Sequence, residues 1–181
     1  GATPLYLCVC RRERKVTAAT ADGVGAVRAL KEPVGAVLES WTRPIGMTME
    51  RVRVPLGVIG VIYESRPNVT ADAGALSLKA GNAVILRGGR EAFHSNAALH
   101  QVLAASLAEA GLPVEAVPLV AHPDRAAVGR LLTLNEFIAL AIPRGGEGLS
   151  TWLRAEEQVT VPTHPTAHVN ATVETNPHLA T

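Results

Sequence analysis

Hydrophobic and polar positions along this chain change period several times, and each change marks an element. Over residues 18–38, Val24, Val27, Leu30, Val34 and Leu38 recur at roughly helical spacing, although Gly23, Gly25 and Pro33 weaken the pattern. MTMERVRVP alternates as a strand or hairpin arm does. GVIGVIYES is a continuous apolar run rich in β-branched residues, the pattern of a strand covered on both faces. Strand and helix then take turns. The pattern predicts a helix over 69–80, a strand over 83–86, and a long helix over 91–110 stopped by Gly111 and Pro113. A short strand follows over 117–120, and Asp124 is placed to cap a helix running through Leu132. FIALAI is another buried strand, and PRGGEG leads into a helix through about Glu157. VTVP and AHVNATV read as two further short strands. Units of this kind build an α/β fold, a doubly wound, mostly parallel sheet with helices on both faces and an N-terminal helical or arm segment. Its strands are expected to end at Tyr63, Leu86 and Ile142 on one common edge.

Composition narrows the function classes. The chain has 181 residues, 48% hydrophobic and 18% charged, so it has enough apolar material for a sizeable core. Aromatic residues make up only 3%, which leaves the packing to Ala, Val, Leu and Ile. A net charge of +1 offers no basic footprint for nucleic acid or an anionic membrane. No apolar run approaches the roughly 20 residues that span a bilayer. In GATPLYLCVCRRERK the apolar run precedes the basic cluster, the reverse of a signal peptide, so the expected location is cytoplasmic. Residues 1–16 read as a separate arm. Its Cys8 and Cys10 can build neither a disulfide framework nor a four-ligand zinc site, and read as ordinary thiols.

The candidate chemistry lies at strand ends. In open parallel sheets, ligands bind beyond the carboxyl ends of the strands. ILRGGRE and AIPRGGEG both put Arg-Gly-Gly where a strand hands over to a helix. Glycine lets a ligand approach the backbone, and helix N-termini attract anions. Neither run is G-x-G-x-x-G or a P-loop. One such run is ordinarily a tight turn with a solvated arginine, but two copies at equivalent places point to a phosphate-bearing ligand. A third strand end, YESRPNVTAD, adds Glu64, Ser65, Arg66 and Asn68. Pro67 biases Arg66 toward an extended conformation, and Asn68 or Thr70 is placed to cap the next helix. Capping or a solvent position accounts for Ser65 and Thr70. Arg66 suits a carboxylate or phosphate, and the Asn68 amide suits an oxyanion. HPTAH spaces His164 and His168 as in a zinc-binding helix, but it lacks the glutamate and Pro165 opposes the helix, so no metal is expected. His94, His100, His122 and His178 read as solvent or turn histidines.

RVRVPLGVIGVIYESRPNVTADAGALSLKAGNAVILRGGREAFHSN closely resembles the gamma-glutamyl phosphate reductase family, also called glutamate-5-semialdehyde dehydrogenase. LESWTRPIG before it and AIPRGGEGL after it fit the same family, and the resemblance runs from about residue 18 to residue 181. It implies an aldehyde-dehydrogenase-like NAD(P)-binding domain over residues 17–181, the cofactor-binding half of such an enzyme. It also implies NADPH as cofactor and, in proline biosynthesis, reduction of L-glutamyl 5-phosphate to glutamate 5-semialdehyde. In that family a cysteine thiolate attacks the acyl phosphate and expels phosphate, and hydride then reduces the thioester. Residue by residue, Arg87, Gly88 and Gly89 resemble the strand end along the adenosine-phosphate half of the cofactor. Glu91, Ser95 and Asn96 follow as ribose or phosphate contacts. Arg144, Gly145, Gly146 and Gly148 resemble the second glycine turn beside the cofactor. Asn68 resembles an oxyanion-hole asparagine, and Glu64 and Arg66 are substrate-side groups.

Two positions depart from the family. Glu147 stands where a lysine is usual. Where the family reads Gly-x-Cys-His, this chain reads PTAHV, with Ala167 at the cysteine's place and His168 kept. With the nucleophile missing at Ala167 and the family's catalytic half not expected to follow, the resemblance implies a chain that is incomplete or inactive by itself. The alternative is a non-catalytic nucleotide-binding or subunit-assembly remnant. The implied partners are a small-molecule substrate, glutamyl phosphate, and either further copies of the chain or a protein that supplies that substrate. No nucleic-acid or membrane partner is implied.

Overall fold

The alternation of strand and helix persists in the folded chain, a computed structural model that describes residues 14–64, 66–121, 124, 126–134, 136–145 and 149. In chain order these form α1 (Arg14–Ala29), β1 (Val37–Thr42), β2 (Thr48–Val52), β3 (Val58–Tyr63), α2 (Asn68–Lys79), β4 (Ala83–Arg87), α3 (Phe93–Glu109), α4 (Ala126–Leu132) and β5 (Leu140–Arg144). Short 3-10 turns, Arg90–Ala92 and Val114–Ala116, precede α3 and follow it. The arm with Cys8 and Cys10, the helix toward Glu157 and the strands VTVP and AHVNATV lie outside the described residues. So do Ser65, His122, Gly146, Glu147, Gly148, His164, Ala167, His168 and His178.

β3 is the middle of a parallel sheet with the order β4-β3-β5. Its side chains alternate between two cores, as a strand's must. Ile59, Val61 and Tyr63 join Val84, Leu86, Leu107 and Val117 on one face, with Val69, Ala73 and Leu78 of α2 packed against them. Ile62 joins Val128, Leu131 and Leu132 of α4, together with Ile138 and Ala141, on the other. Burial on both faces is why the sequence of β3 shows no polar alternation. Each large side chain sealed there, such as Ile62, contributes about 1.5–3 kcal/mol. Gly60 sits on the α4 face, where a Cβ would lie 2.9 Å from Leu131 Cδ2. The helix rests directly on the strand because that residue has no side chain.

Helix ends follow local chemistry. After α2, Gly81 takes φ +72°, and Gly81 N and Asn82 N bond to Leu78 O at 2.9 Å and Ser77 O at 2.8 Å. After α3, Gly111 takes φ +69°, with Gly111 N and Leu112 N bonding to Ala108 O at 3.1 Å and Leu107 O at 2.9 Å. Both are Schellman ends, in which a left-handed glycine turns the chain and satisfies the last carbonyls. Asn82 is then buried, and its Oδ1 accepts from Leu56 N at 2.6 Å and Gly57 N at 3.0 Å, locking the starts of β4 and β3 together.

Four boundaries differ from the expectation. The helix expected over 18–38 ends at Ala29, and Val37 and Leu38 belong to β1. Pro33 and a left-handed Gly35 (φ +78°) separate the two, and their helical spacing was a coincidence of composition. β1 and β2 form an antiparallel hairpin that is mostly exposed. The strand expected over 117–120 is a single bridge from Leu119 to Leu86. Pro118 accepts from Leu86 N at 2.9 Å but has no N–H to extend the ladder. The strand expected over FIALAI begins only at Leu140 and runs on to Arg144, because Phe137 N and Ile138 N both bond back to Leu134 O. The long helix expected from residue 91 opens with the 3-10 turn before α3.

Gly60→Ala is expected to destabilise the fold by about 1–3 kcal/mol through overpacking against α4. Combined with Leu131→Ala, the two changes should cost less than their sum, because the smaller side chain frees the space. Denaturant titration of the four proteins of the cycle measures both.

Candidate functional site

The carboxyl ends of β4, β3 and β5 lie along one edge of the sheet. Ile62 pairs with Arg87, and Tyr63 pairs with Arg144. The chain passes from β3 to β4 and Leu119 on one side, then returns to β5 on the other. The strand order therefore reverses at β3, and such a reversal opens a crevice at the strand ends. Glu64, the first residue after β3, occupies it. Its N–H reaches Arg144 O at 3.3 Å. A Cβ at Gly89 would lie 3.3 Å from Glu64 Cα, and one at Gly145 would lie 2.8 Å from Glu64 Oε2. Both Arg-Gly-Gly turns thus close on the same glutamate.

None of Gly88, Gly89 and Gly145 has a positive φ. What they supply is space, and the protein's own groups fill it. A Cβ at Gly88 would run into the Asn96 amide nitrogen and come within 3.1 Å of Tyr63 Cε2. One at Gly89 would also meet Glu91 Oε2 at 2.8 Å, and one at Gly145 would meet Leu149 Cδ2 at 2.8 Å. Their place in the sequence suggested ligand approach; the packing gives each an intramolecular reason.

The arginines divide. Arg87 is 7% exposed, and its Nη2 donates to Asp124 O at 3.3 Å. Asp124 Oδ1 in turn accepts from Ala126 N at 3.1 Å, capping α4 as expected. Arg87 therefore ties the end of β4 to the start of α4. Arg66, Arg90 and Arg144 are exposed near the crevice, as are Glu64 and Glu91. Arg90 went unnoticed in the sequence, where it falls between the glycine turn and the helix expected from residue 91.

Asn68 opens α2, and its Nδ2 donates to Asp72 Oδ2 at 3.0 Å on an exposed face. Neither Asn68 nor Thr70 caps the helix: the N-cap position is Pro67, without a side-chain bond. Thr70 is instead fully buried, bonded to Tyr63 Oη at 2.6 Å and donating to Asn96 Oδ1 at 3.2 Å. Ser95 is half-buried, but Asn96, expected beside the ribose or phosphate, is 1% exposed and lies beneath the Gly88 turn. Tyr63 and Thr70 were missed as site residues. The available signal was a phenol ending an apolar strand, since a buried hydroxyl needs a partner. Burial pushes the Tyr63 phenol from 10.0 up to about 12, with the Thr70 bond acting the other way. Among the described residues, no group of three or more His, Cys, Asp and Glu is placed to hold a metal ion, and no helix is long and apolar enough to cross a membrane.

Comparison with known proteins fits this geometry. No family model matches the chain. It is 60% identical over 146 residues to gamma-glutamyl phosphate reductase of Rhodospirillum rubrum, covering 81% of this chain and 34% of that protein. The Bradyrhizobium sp. (strain ORS 278) reductase is 55% identical over 165 residues, covering 91% and 38%. Among solved structures, gamma-glutamyl phosphate reductase of Thermotoga maritima superposes with a TM-score of 0.84 at 39% identity, over 89% of this chain and 39% of that one. An acetylating aldehyde dehydrogenase from Geobacillus thermoglucosidasius, at 16% identity, superposes with a TM-score of 0.62 over 80% and 36%. The chain spans about a third of the length of the curated relatives it matches. Over that segment it is homologous to gamma-glutamyl phosphate reductases, and its fold is aldehyde-dehydrogenase-like.

Because the folded state holds the Tyr63 proton more tightly than the unfolded chain, stability should be unaffected by this group below pH 10. It should fall as pH rises toward 12, by about 2–3 kcal/mol. Denaturant titrations across that range should show the loss in the wild type, and Tyr63→Phe should lack that share of it.

Proposed function

We propose that this chain, homologous to a segment of gamma-glutamyl phosphate reductases, forms the nucleotide-binding part of an NADPH-dependent oxidoreductase. The reaction is reduction of L-glutamyl 5-phosphate to glutamate 5-semialdehyde, in proline biosynthesis. The observation that carries this reading is Glu64 held between two glycine turns where the strand order reverses. Residues there fit a dinucleotide. Exposed Glu64 and Glu91 are acceptors suited to ribose hydroxyls. The turn that opens at Gly89 presents backbone N–H groups suited to phosphate, and exposed Arg66, Arg90 and Arg144 offset the two carboxylates. Gly88, Gly89 and Gly145 put no side chain into the crevice, and Gly146 and Gly148, outside the described residues, are assigned to the cofactor by the family resemblance alone. Arg87 serves by fixing the loop before α4, since its guanidinium is already turned to Asp124.

Bound NADPH supplies the hydride; this chain's own residues bind, orient and stabilise charge. Asn68 keeps a second amide N–H beyond the one given to Asp72, and in this reading donates it to the oxyanion developing on the substrate carbonyl. Arg66, exposed two residues before Asn68, binds the substrate's carboxylate or phosphate. The same reading assigns a cytoplasmic location, and either further copies of the chain or a protein that delivers glutamyl phosphate.

NADPH is expected to bind more tightly than NADH, because the extra phosphate needs an arginine. Arg90→Ala and Arg144→Ala are each expected to weaken NADPH by about tenfold, the worth of one charge-assisted contact, and NADH by less. Calorimetric titration of the wild type and both variants with each nucleotide measures the six affinities. Equal affinity for the two nucleotides would remove the NADPH assignment, and no binding of either would remove the nucleotide site.

Ala167 favours the second reading, in which the chain binds nucleotide without turning over. Covalent acyl transfer needs an activated nucleophile, and alanine has none. The chain alone is expected not to form NADPH from semialdehyde, phosphate and NADP. Ala167→Cys is not expected to restore turnover, because a new thiol lacks the lowered pKa of a catalytic one. Phosphate-dependent turnover by the unmodified chain would sink this expectation and direct attention to Cys8 and Cys10.

A further inference from the structure

Three polar side chains lie sealed behind the first glycine turn, out of reach of a nucleotide. Tyr63, Thr70 and Asn96 are 0%, 0% and 1% exposed. They come from the end of β3, the first turn of α2 and the first turn of α3, three elements that share one core. Buried hydroxyls and amides are costly unless they satisfy one another, and these do. Proton counting sets the direction of the chain. Thr70 Oγ1 gives its single proton to Asn96 Oδ1 at 3.2 Å, so Tyr63 is the donor across the 2.6 Å contact to Thr70. With Oδ1 committed to Thr70, the amide nitrogen of Asn96 is the group that faces Gly88, in the space a Cβ would need. Gly89, next along, is extended (φ −69°, ψ 161°) and opens the turn into α3.

We infer that Tyr63, Thr70 and Asn96 form a positioning relay, a one-way row of donors that orients the Asn96 amide under Gly88 and so holds the Gly88–Gly89 backbone in its ligand-ready shape. The inference rests on reading that turn as part of the nucleotide site, but the relay belongs to the chain without ligand. Sealed from solvent, the three residues touch no nucleotide and act through the backbone they hold. Small losses of such positioning are felt strongly in recognition. Thr70→Val keeps the shape of the side chain and removes both hydrogen bonds. Asn96 then has no hydroxyl to choose which end of its amide faces the turn, while Thr70→Ser keeps the hydroxyl.

The test uses the full chain and two measurements on the same samples: backbone order parameters by nitrogen relaxation without nucleotide, and NADPH titration. In the wild type, Gly88 and Gly89 should be as rigid as β3, with order parameters of about 0.85. In Thr70→Val they should fall below about 0.6 while β3 is unchanged, and NADPH affinity should drop about five- to tenfold, the worth of a lost buried hydrogen bond. Thr70→Ser should restore both. Loosening spread evenly over β3, β4 and the turn, with NADPH affinity of the folded protein unchanged, would mean a merely structural role and overturn the relay. If Thr70→Val does not fold, Tyr63→Phe decides. It leaves the Thr70–Asn96 bond but frees its direction, and unchanged order parameters at Gly88 and Gly89 would overturn the inference. Failure of the wild type to bind NADPH would remove the nucleotide reading, and the order parameters would still decide the relay.

Discussion

A strand buried on both faces must place every backbone N–H and C=O on a neighbour, because water cannot reach them. β3 meets that demand from β4 on one side and β5 on the other. The pairing has a consequence at the strand's end. The two partners are parallel to β3 and in near register with it, so the glycine turns that follow them are delivered to the two sides of Glu64. The crevice is thus a by-product of satisfying the backbone of the most buried strand. The ladder even continues one residue past β3, through Glu64 N to Arg144 O.

Close packing then decides what the turns can contain. Glu64, Glu91, Asn96 and Tyr63 crowd the positions where Cβ atoms would stand at Gly88, Gly89 and Gly145. Bulk at any of them would displace either the carboxylates that rim the crevice or the polar row beneath it. The same economy appears at Gly60, where the missing side chain lets α4 settle on β3. Small residues here serve interior contacts first, and the openness of the edge follows from those contacts.

Charge at the edge is balanced in layers. Arg87 gives up solvent to reach a backbone carbonyl, which a buried cation requires. That leaves the rim to exposed residues of both signs, Glu64 and Glu91 against Arg66, Arg90 and Arg144. Beneath the rim lies a neutral hydrogen-bonded row in which the Tyr63 phenol is held protonated by burial. Exposed charge of both signs outside and neutral hydrogen-bonded polarity inside are the features on which the proposed nucleotide site rests.

Much of this architecture was legible in the chain. GVIGVIYES declared a doubly covered strand because burial on both faces removes polar alternation, and Gly111 declared the end of α3 because only glycine takes the left-handed turn easily. The doubly wound order and the common edge followed from strand and helix taking turns. Other features had no one-dimensional signal. β1 was hidden because Val37 and Leu38 extended a helical spacing by chance, and Val37 pairs with Val52, which lies far along the chain. Arg87 and Arg144 sit in the same Arg-Gly-Gly context, yet one is buried and the other exposed, since only the position of α4 separates them. Asn96 looked like a ligand contact and Thr70 like a cap. Both became interior donors and acceptors because Tyr63, far from Asn96 in sequence, brings its hydroxyl between the helices that carry them. Local sequence set which segments become strands, helices and turns, since those depend on near neighbours. Which side of each turn faces ligand and which faces core was decided by the tertiary packing, because it depends on groups that meet only in the folded chain.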